Sequence, residues 1–233
     1  MLLLAIDTAT PAVTVALHDG ERVLAERTTI DARRQGELLA SAVAAVLDAA
    51  GAAVGDLSVI VAGTGPGPYT GLRAGLVTAR VLGSALGVPV HGVCTLDVIA
   101  AGAVGQAAGR EFLAATDARR RELYWARYGP AGERLAGPAV AAPAALPAGL
   151  PVAGEGAHLY PALLGAAIEP RYPSAATLAD LATERMAAGK PLLQPAPLYL
   201  RRPDAREPGP PKPVTGGQAG AGGRGPRVRA VAR

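Results

Sequence analysis

The segment Ala62-Gly63-Thr64-Gly65-Pro66-Gly67-Pro68-Tyr69-Thr70-Gly71-Leu72-Arg73 constrains this chain more than any other. It follows an apolar strand, Ser58 to Ala62, and opens a helix predicted over Leu72 to Leu86. Four glycines and two prolines in so short a stretch force tight turns and bring backbone N–H groups to the surface. At a helix N-terminus such a loop either holds an anion or presses against another backbone. It is not a Walker loop: no Gly-Lys-Ser/Thr closes it, and Arg73 already lies inside the helix.

A chain of 233 residues can bury a core, as one domain or as two small lobes. Half its residues are hydrophobic but only 3% are aromatic, so that core is built from Ala, Val and Leu. No apolar run approaches the roughly 18 residues of a membrane span. No basic segment precedes Leu2 to Ile6, so no secretory leader is expected. The single cysteine, Cys94, leaves no internal disulfide and fits a reducing cytoplasm, the expected location. It reads as a small buried residue, since no His–acid pair accompanies it. The net charge of +4 belongs to the C-terminal end. From Arg206 onward there are six basic residues and one acid, which leaves 17 basic against 18 acidic residues in 1–205, a net of −1. The body shows no global charge excess that would advertise a nucleic-acid surface.

Strands are predicted over Leu2 to Thr8, Val13 to His18 and Arg22 to Thr29, the last two joined by an Asp19-Gly20 hairpin. Leu38, Leu39, Ala42, Val43, Val46 and Leu47 then recur at helical spacing over Gln35 to Ala50. In the helix after the glycine loop, Gly71, Gly75, Ala79 and Gly83 form a small-residue stripe that lets another helix approach closely. A strand over Val88 to Val93 and a helix over Thr95 to Ala108 complete an N-terminal lobe, 1–108. Strands Phe112 to Thr116 and Glu122 to Tyr128 restart the pattern, with Asp117 in the place of Asp7. Pro138 to Pro151 reads as a loop, Val152 to Gly154 as a short strand, and Thr177 to Ala188 as a helix capped by Thr177. This second lobe is expected over 109–204, followed by a disordered Pro/Gly/Arg tail, 205–233.

The segment Gly65-Pro66-Gly67-Pro68-Tyr69-Thr70-Gly71-Leu72-Arg73 resembles the signature of the TsaB (YeaZ) family. Leu4-Ala5-Ile6-Asp7-Thr8-Ala9-Thr10 resembles that family's opening strand, and Val93-Cys94-Thr95-Leu96 its Gly-Val-Ser-Thr-Leu segment. Ala115-Thr116-Asp117-Ala118-Arg119 resembles its Ile-Asp-Ala-Arg segment, with Glu122-Leu123-Tyr124-Trp125-Ala126 at the expected distance. Pro197-Leu198-Tyr199-Leu200-Arg201 resembles its closing motif. The resemblance implies a two-lobed α/β fold of the actin/Hsp70/sugar-kinase (RNase H-like) type, with mixed sheets flanked by helices. It also implies a non-catalytic scaffold that binds a TsaD-like enzyme and supports threonylcarbamoyl transfer to the adenosine beside the tRNA anticodon. A TsaE-like ATPase would join the assembled complex, and tRNA would bind through that complex.

The residues fit a chain without chemistry of its own. Actin-like ATPases end the first strand in Asp-x-Gly-Thr; here Ala9 stands where that glycine lets backbone amides approach phosphate. TsaD carries a His-x-x-x-His metal pair, and alignment on Val88-Pro89 puts Thr95 and Ile99 at those positions. His18, His91 and His158 are too scattered to form a metal motif. No cofactor is expected on this chain alone; ATP and metal belong to the partner enzyme. Asp7, Gly65, Gly67 and Thr70 are the candidate nucleotide or phosphate contacts. Arg119-Arg120-Arg121 reads as a solvated hairpin end that could touch phosphate, and Glu122 as its ion-pair partner. Of Tyr124 and Trp125, one should face the core and leave the other as a base-stacking candidate.

The family pairs through two helices that serve both self-association and TsaD binding. Here the apolar stripes of those helices carry Leu39, Val43 and Val46 on one and Leu72, Gly75, Leu76 and Ala79 on the other, and these are the expected interface. The family's His-Ser/Thr-Glu/Gln at the first helix start is replaced by Gln35-Gly36-Glu37. Alternative readings are an ATP-dependent phosphotransferase or a glycoprotease-like hydrolase of the same superfamily, or an RNA-binding module using the tail. Ala9, Thr95 and Ile99 argue against the first two.

Overall fold

Two five-stranded sheets repeat one topology. The computed structural model describes residues 1–201. The first sheet contains β1 (Leu3–Asp7), β2 (Ala12–His18), β3 (Val23–Ile30), β4 (Val59–Gly63) and β5 (Val90–Val93), in the order β3-β2-β1-β4-β5. The β1–β2 and β2–β3 pairs are antiparallel, and β1–β4 and β4–β5 are parallel. The second sheet contains β6 (Phe112–Asp117), β7 (Leu123–Tyr128), β8 (Arg134–Ala141), β9 (Val152–Ala153) and β10 (Ala167–Ile168), in the order β10-β9-β6-β7-β8 with the same pairing senses. The duplication reaches single hydrogen bonds. The Ala9 N–H donates to Asp7 Oδ1 at 2.8 Å, and the Arg119 N–H donates to Asp117 Oδ1 at 2.7 Å. The expected two-lobed α/β plan is therefore present.

Helices α1 (Gln35–Ala49) and α2 (Tyr69–Leu86) cover one face of the first sheet. Because strand side chains alternate, Leu4, Ile6, Val13, Val15 and Leu17 point to that face and pack with Leu39, Val46, Leu72 and Leu76. On the opposite face Leu3, Ala5, Val59 and Val61 meet α5 (Ala175–Ala187) and Val98 of α3 (Thr95–Ala107). Leu96, Ile99, Ala100 and Ala103 of α3 also pack with Phe112, Ala114 and Tyr128 of the second sheet. One helix thus serves both sheets. A short α4 (Glu155–Leu159) follows β9.

Several expectations change. Residues 134–141, half of them read as loop, form β8; it is an edge strand, and register shifts opposite Trp125 to Tyr128 accommodate Pro138. Helix α2 begins three residues early, at Tyr69. The N-cap of α5 is Ser174, whose Oγ accepts the Thr177 N–H at 3.2 Å. Most consequential, α5 belongs by sequence to the second lobe yet packs on the first sheet. Parallel and antiparallel strands buried on both faces need helices on both sides, and the returning chain supplies the second layer together with Val98 of α3. The tail expected over 205–233 lies outside the described residues.

Candidate partner-binding surface and interlobe cleft

The glycine loop presses on backbone. A Cβ at Gly67 would collide with the Ala9 carbonyl, and one at Gly63 with the Asp7 carboxylate. The Gly65 N–H donates to Thr95 Oγ1 at 3.1 Å, the Thr95 N–H donates to the Gly65 carbonyl at 2.8 Å, and the Thr95 hydroxyl donates to Asp7 Oδ2 at 2.8 Å. Burial pushes the Asp7 pKa up to about 6, against the lowering effect of its bonds from Ala9 and Thr95. Of the four candidate phosphate contacts, Asp7, Gly65 and Gly67 are buried in this packing. Thr70 alone is exposed. Thr95 and Ile99 are fully buried. Burial also pushes the Cys94 thiol up to about 11.

The expected interface residues pack inward, and of them Leu76 also lines the groove on the outer side of α2. Leu39, Val43, Val46, Leu72, Gly75, Leu76 and Ala79 are all buried inside the chain. The small-residue stripe lets α2 approach its own sheet and the start of α1. Gly71 abuts Gln35, Gly83 abuts Val90, and a Cβ at Gly75 would lie 2.5 Å from Thr8 Oγ1. That hydroxyl donates to the Gly71 carbonyl at 2.7 Å and accepts the Gly75 N–H at 3.0 Å. Five strands present more apolar face than one helix covers, so both stripes pack mainly against their own sheet.

What α2 turns outward is different. Val77 and Val81 are 57% and 61% exposed, one turn apart. Beside them Tyr69 and Tyr199 stack with ring centroids 5.0 Å apart. The Arg73 guanidinium sits 3.8 Å over the Tyr69 ring, and its Nε donates to Tyr199 Oη at 2.8 Å. Arg73, Leu76, Val77, Arg80, Pro195, Pro197 and Tyr199 line a groove of about 320 Å³. The closing motif reaches this place because the Leu198 N–H donates to the Thr64 carbonyl at 2.8 Å, which seats it on the glycine loop. The outward face of α1 is small: Ala40, Ser41, Ala44 and Ala45 are exposed. Periodicity drew attention to the buried stripes. The outward signal was Val77 and Val81 standing where a solvated helix face should be polar.

Between the sheets lie two adjoining cavities of about 190 and 210 Å³, which share Thr10, Pro11, Ala32, Pro68 and Arg119. Thr70 and Gln35 line one; Thr116, Asp117 and Glu155 line the other. Glu122 pairs with Arg201 of the closing motif. Tyr124 is buried and Trp125 packs against the cluster on the opposite face of the second sheet, so neither offers a free ring for a base.

The family model described as TsaD, tRNA N6-adenosine threonylcarbamoyltransferase, matches residues 22–183. An uncharacterised protein of Mycobacterium tuberculosis is 48% identical over 208 residues, 88% of this chain and 93% of its own length. The Escherichia coli tRNA threonylcarbamoyladenosine biosynthesis protein TsaB is 38% identical over 128 residues, 55% of each chain. Among solved structures, YeaZ from Pseudomonas aeruginosa gives a TM-score of 0.74 at 30% identity, covering 85% of this chain and 99% of its own. A Pseudomonas aeruginosa protein described as similar to peptidase YEAZ gives 0.75 at 31% identity, covering 86% and 99%. The glycine loop, the closing motif seated on it and the doubled sheet agree with these likenesses: the chain belongs to the TsaB/YeaZ family.

Proposed function

We propose that this chain is a non-catalytic subunit in the synthesis of threonylcarbamoyladenosine on tRNA, and that it works by docking a TsaD-like enzyme on the outward face of α2. The names of its TsaB relatives support the pathway. The observation that carries the docking surface is the exposure of Val77 and Val81 beside the Tyr69–Arg73–Tyr199 assembly. Apolar area left in water forgoes about 25 cal/mol per Å², which a partner recovers, and a rigid aromatic–arginine cluster loses little entropy on binding. The small outward residues of α1 let a partner helix come close. The non-catalytic reading is supported by Asp7, Thr95 and Ile99, which are spent on internal packing. ATP and metal belong to the partner enzyme in this reading, and a TsaE-like ATPase and tRNA join through the complex in the cytoplasm. The same face permits a homodimer, so self-association and enzyme binding compete.

The test is Val77→Glu with Val81→Glu. Both side chains are exposed, so the melting temperature should hold while co-purification of a TsaD-like enzyme is lost. Undiminished co-purification by the folded variant overturns the surface.

A further inference from the structure

We propose that the arginine rim of the interlobe cleft, Arg33 and Arg34 on one side and Arg119 and Arg121 on the other, grips the phosphate backbone of an RNA. The kind of RNA, a tRNA, rests on the reading given above; the rim itself rests on geometry. In the turn between β6 and β7, Arg119, Arg120 and Arg121 have φ values of 61°, 55° and 61°. Three successive side-chain-bearing residues in the left-handed region cost conformational free energy that glycine or asparagine would avoid. The turn is held by the Arg119 N–H on Asp117 Oδ1 at 2.7 Å and by the Glu122 N–H on the Arg119 carbonyl at 3.0 Å. Neither bond uses an arginine side chain, so glycine would fold the same turn. What Arg119 and Arg121 add is exposed positive charge, which Arg119 turns in part toward Asp117.

Ala32 lines the same two cavities as Arg119, and the exposed Arg33 and Arg34 follow it directly in the chain, as the exposed Arg121 follows Arg119 two residues on. Asp31 pairs with Arg34 at 3.0 Å and Asp117 with Arg119 at 3.2 Å; in both pairs the carboxylate is half-buried and the guanidinium is exposed, open to phosphate on its solvent side. Residues 1–205 carry 17 basic and 18 acidic groups, so these arginines are a local cluster in a near-neutral body, with the carboxylates of Asp117 and Glu155 lining one of the two cavities beside them. Among the described residues no aromatic ring lines either cavity, which suits backbone binding rather than base reading.

The experiment measures binding of a labelled, unmodified tRNA transcript to the full chain by fluorescence anisotropy. It is run from about 50 to 200 mM salt, with and without a TsaD-like enzyme. The variant Arg119→Gly, Arg121→Gly removes two charges where glycine takes the left-handed turn without strain, so its melting temperature should hold or rise. Affinity should fall at least about tenfold, and the salt slope should shrink by about two, one for each phosphate that is no longer neutralised. Arg22→Glu, at the other end of β2 from the cleft, should change neither. Unchanged affinity and slope in the glycine variant overturn the proposal, as does a wild-type chain that binds no transcript in either arm. If the enzyme fails to bind while the tRNA response appears, the docking reading falls and this one stands.

Discussion

The Thr95 hydroxyl donates to Asp7 Oδ2 at 2.8 Å and accepts the Gly65 N–H at 3.1 Å, so one side chain ties the end of β1 to the glycine loop. The resemblance to TsaD sets position 95 against a histidine of that enzyme. In this chain the position is a lock, and the carboxylate it engages is shut away from solvent. Two consequences can be measured, one electrostatic and one steric.

The electrostatic consequence is an unusual pH profile. With the Asp7 pKa raised from 3.8 to about 6, the folded chain retains a proton between those values that the unfolded chain has lost. Stability from this group is therefore greatest below about pH 4, falls as pH rises to about 6, and is flat above. The total is about 2–3 kcal/mol. Urea melts of the wild type and Asp7→Asn at about pH 4 and about pH 7 isolate it, because other carboxylates cancel in the difference. A difference that stays constant across this range would show that Asp7 is ionised without penalty.

The steric consequence concerns glycine. Gly75→Ala places a methyl 2.5 Å from Thr8 Oγ1, which is fixed by two hydrogen bonds, so it should destabilise by about 1–3 kcal/mol. Gly36→Ala, in the first turn of α1 with nothing within 4 Å, should stabilise by about 0.5–1 kcal/mol. Denaturant midpoints of the pair decide the matter. Equal, small effects would mean that α2 stands off its sheet.

This contrast marks the limit of sequence reading. Period and turn chemistry placed β1, β2, β3, α1 and both interlobe aspartates, because local spacing determines them. The Gly71–Gly83 stripe was just as visible, but whether a smooth stripe meets a sheet or a foreign helix depends on what lies opposite, here Thr8 and Val90. The Tyr69–Tyr199 stack joins residues 130 positions apart in the chain, and no periodicity reports such a pair. Strand β8 hid behind Pro138, since an edge position alone excuses a proline. The return of α5 to the first sheet follows from burial of both faces, a global demand with no local signature.

Ser174 gives a local test of that return. Its Oγ caps α5 through the Thr177 N–H and also donates to Glu26 Oε1 of β3 at 2.8 Å. Ser174→Ala should cost about 1 kcal/mol, whereas Thr177→Ala should cost less, because the cap uses only the Thr177 backbone. Thermal melts showing the reverse order would restore Thr177 as the cap.

Asp97 supports the last prediction. From α3, its Oδ1 accepts Tyr128 Oη of β7 at 2.8 Å; its Oδ2 accepts Arg134 of β8 at 2.7 Å and Arg185 of α5 at 3.3 Å. One carboxylate therefore joins the helix between the sheets to both its neighbours, and two arginines depend on it. Burial, reinforced by this carboxylate, drives the Tyr128 phenol far above its ordinary range, so the ring remains a donor. Asp97→Asn strands two part-buried guanidinium groups and should destabilise by about 1–3 kcal/mol, less than a fully buried pair because both arginines keep some solvent. Arg185→Met alone should cost less, since Arg134 still neutralises Asp97. Combining it with Asp97→Asn should recover part of the loss, a coupling of about 0.5–3 kcal/mol in the double-mutant cycle. Hydrogen exchange locates the effect: amides of β8 and the last turn of α5 should lose protection in Asp97→Asn while those of β1 keep theirs. Additive changes in the cycle, or uniform loss across both sheets, would show that Asp97 is not the clasp between them.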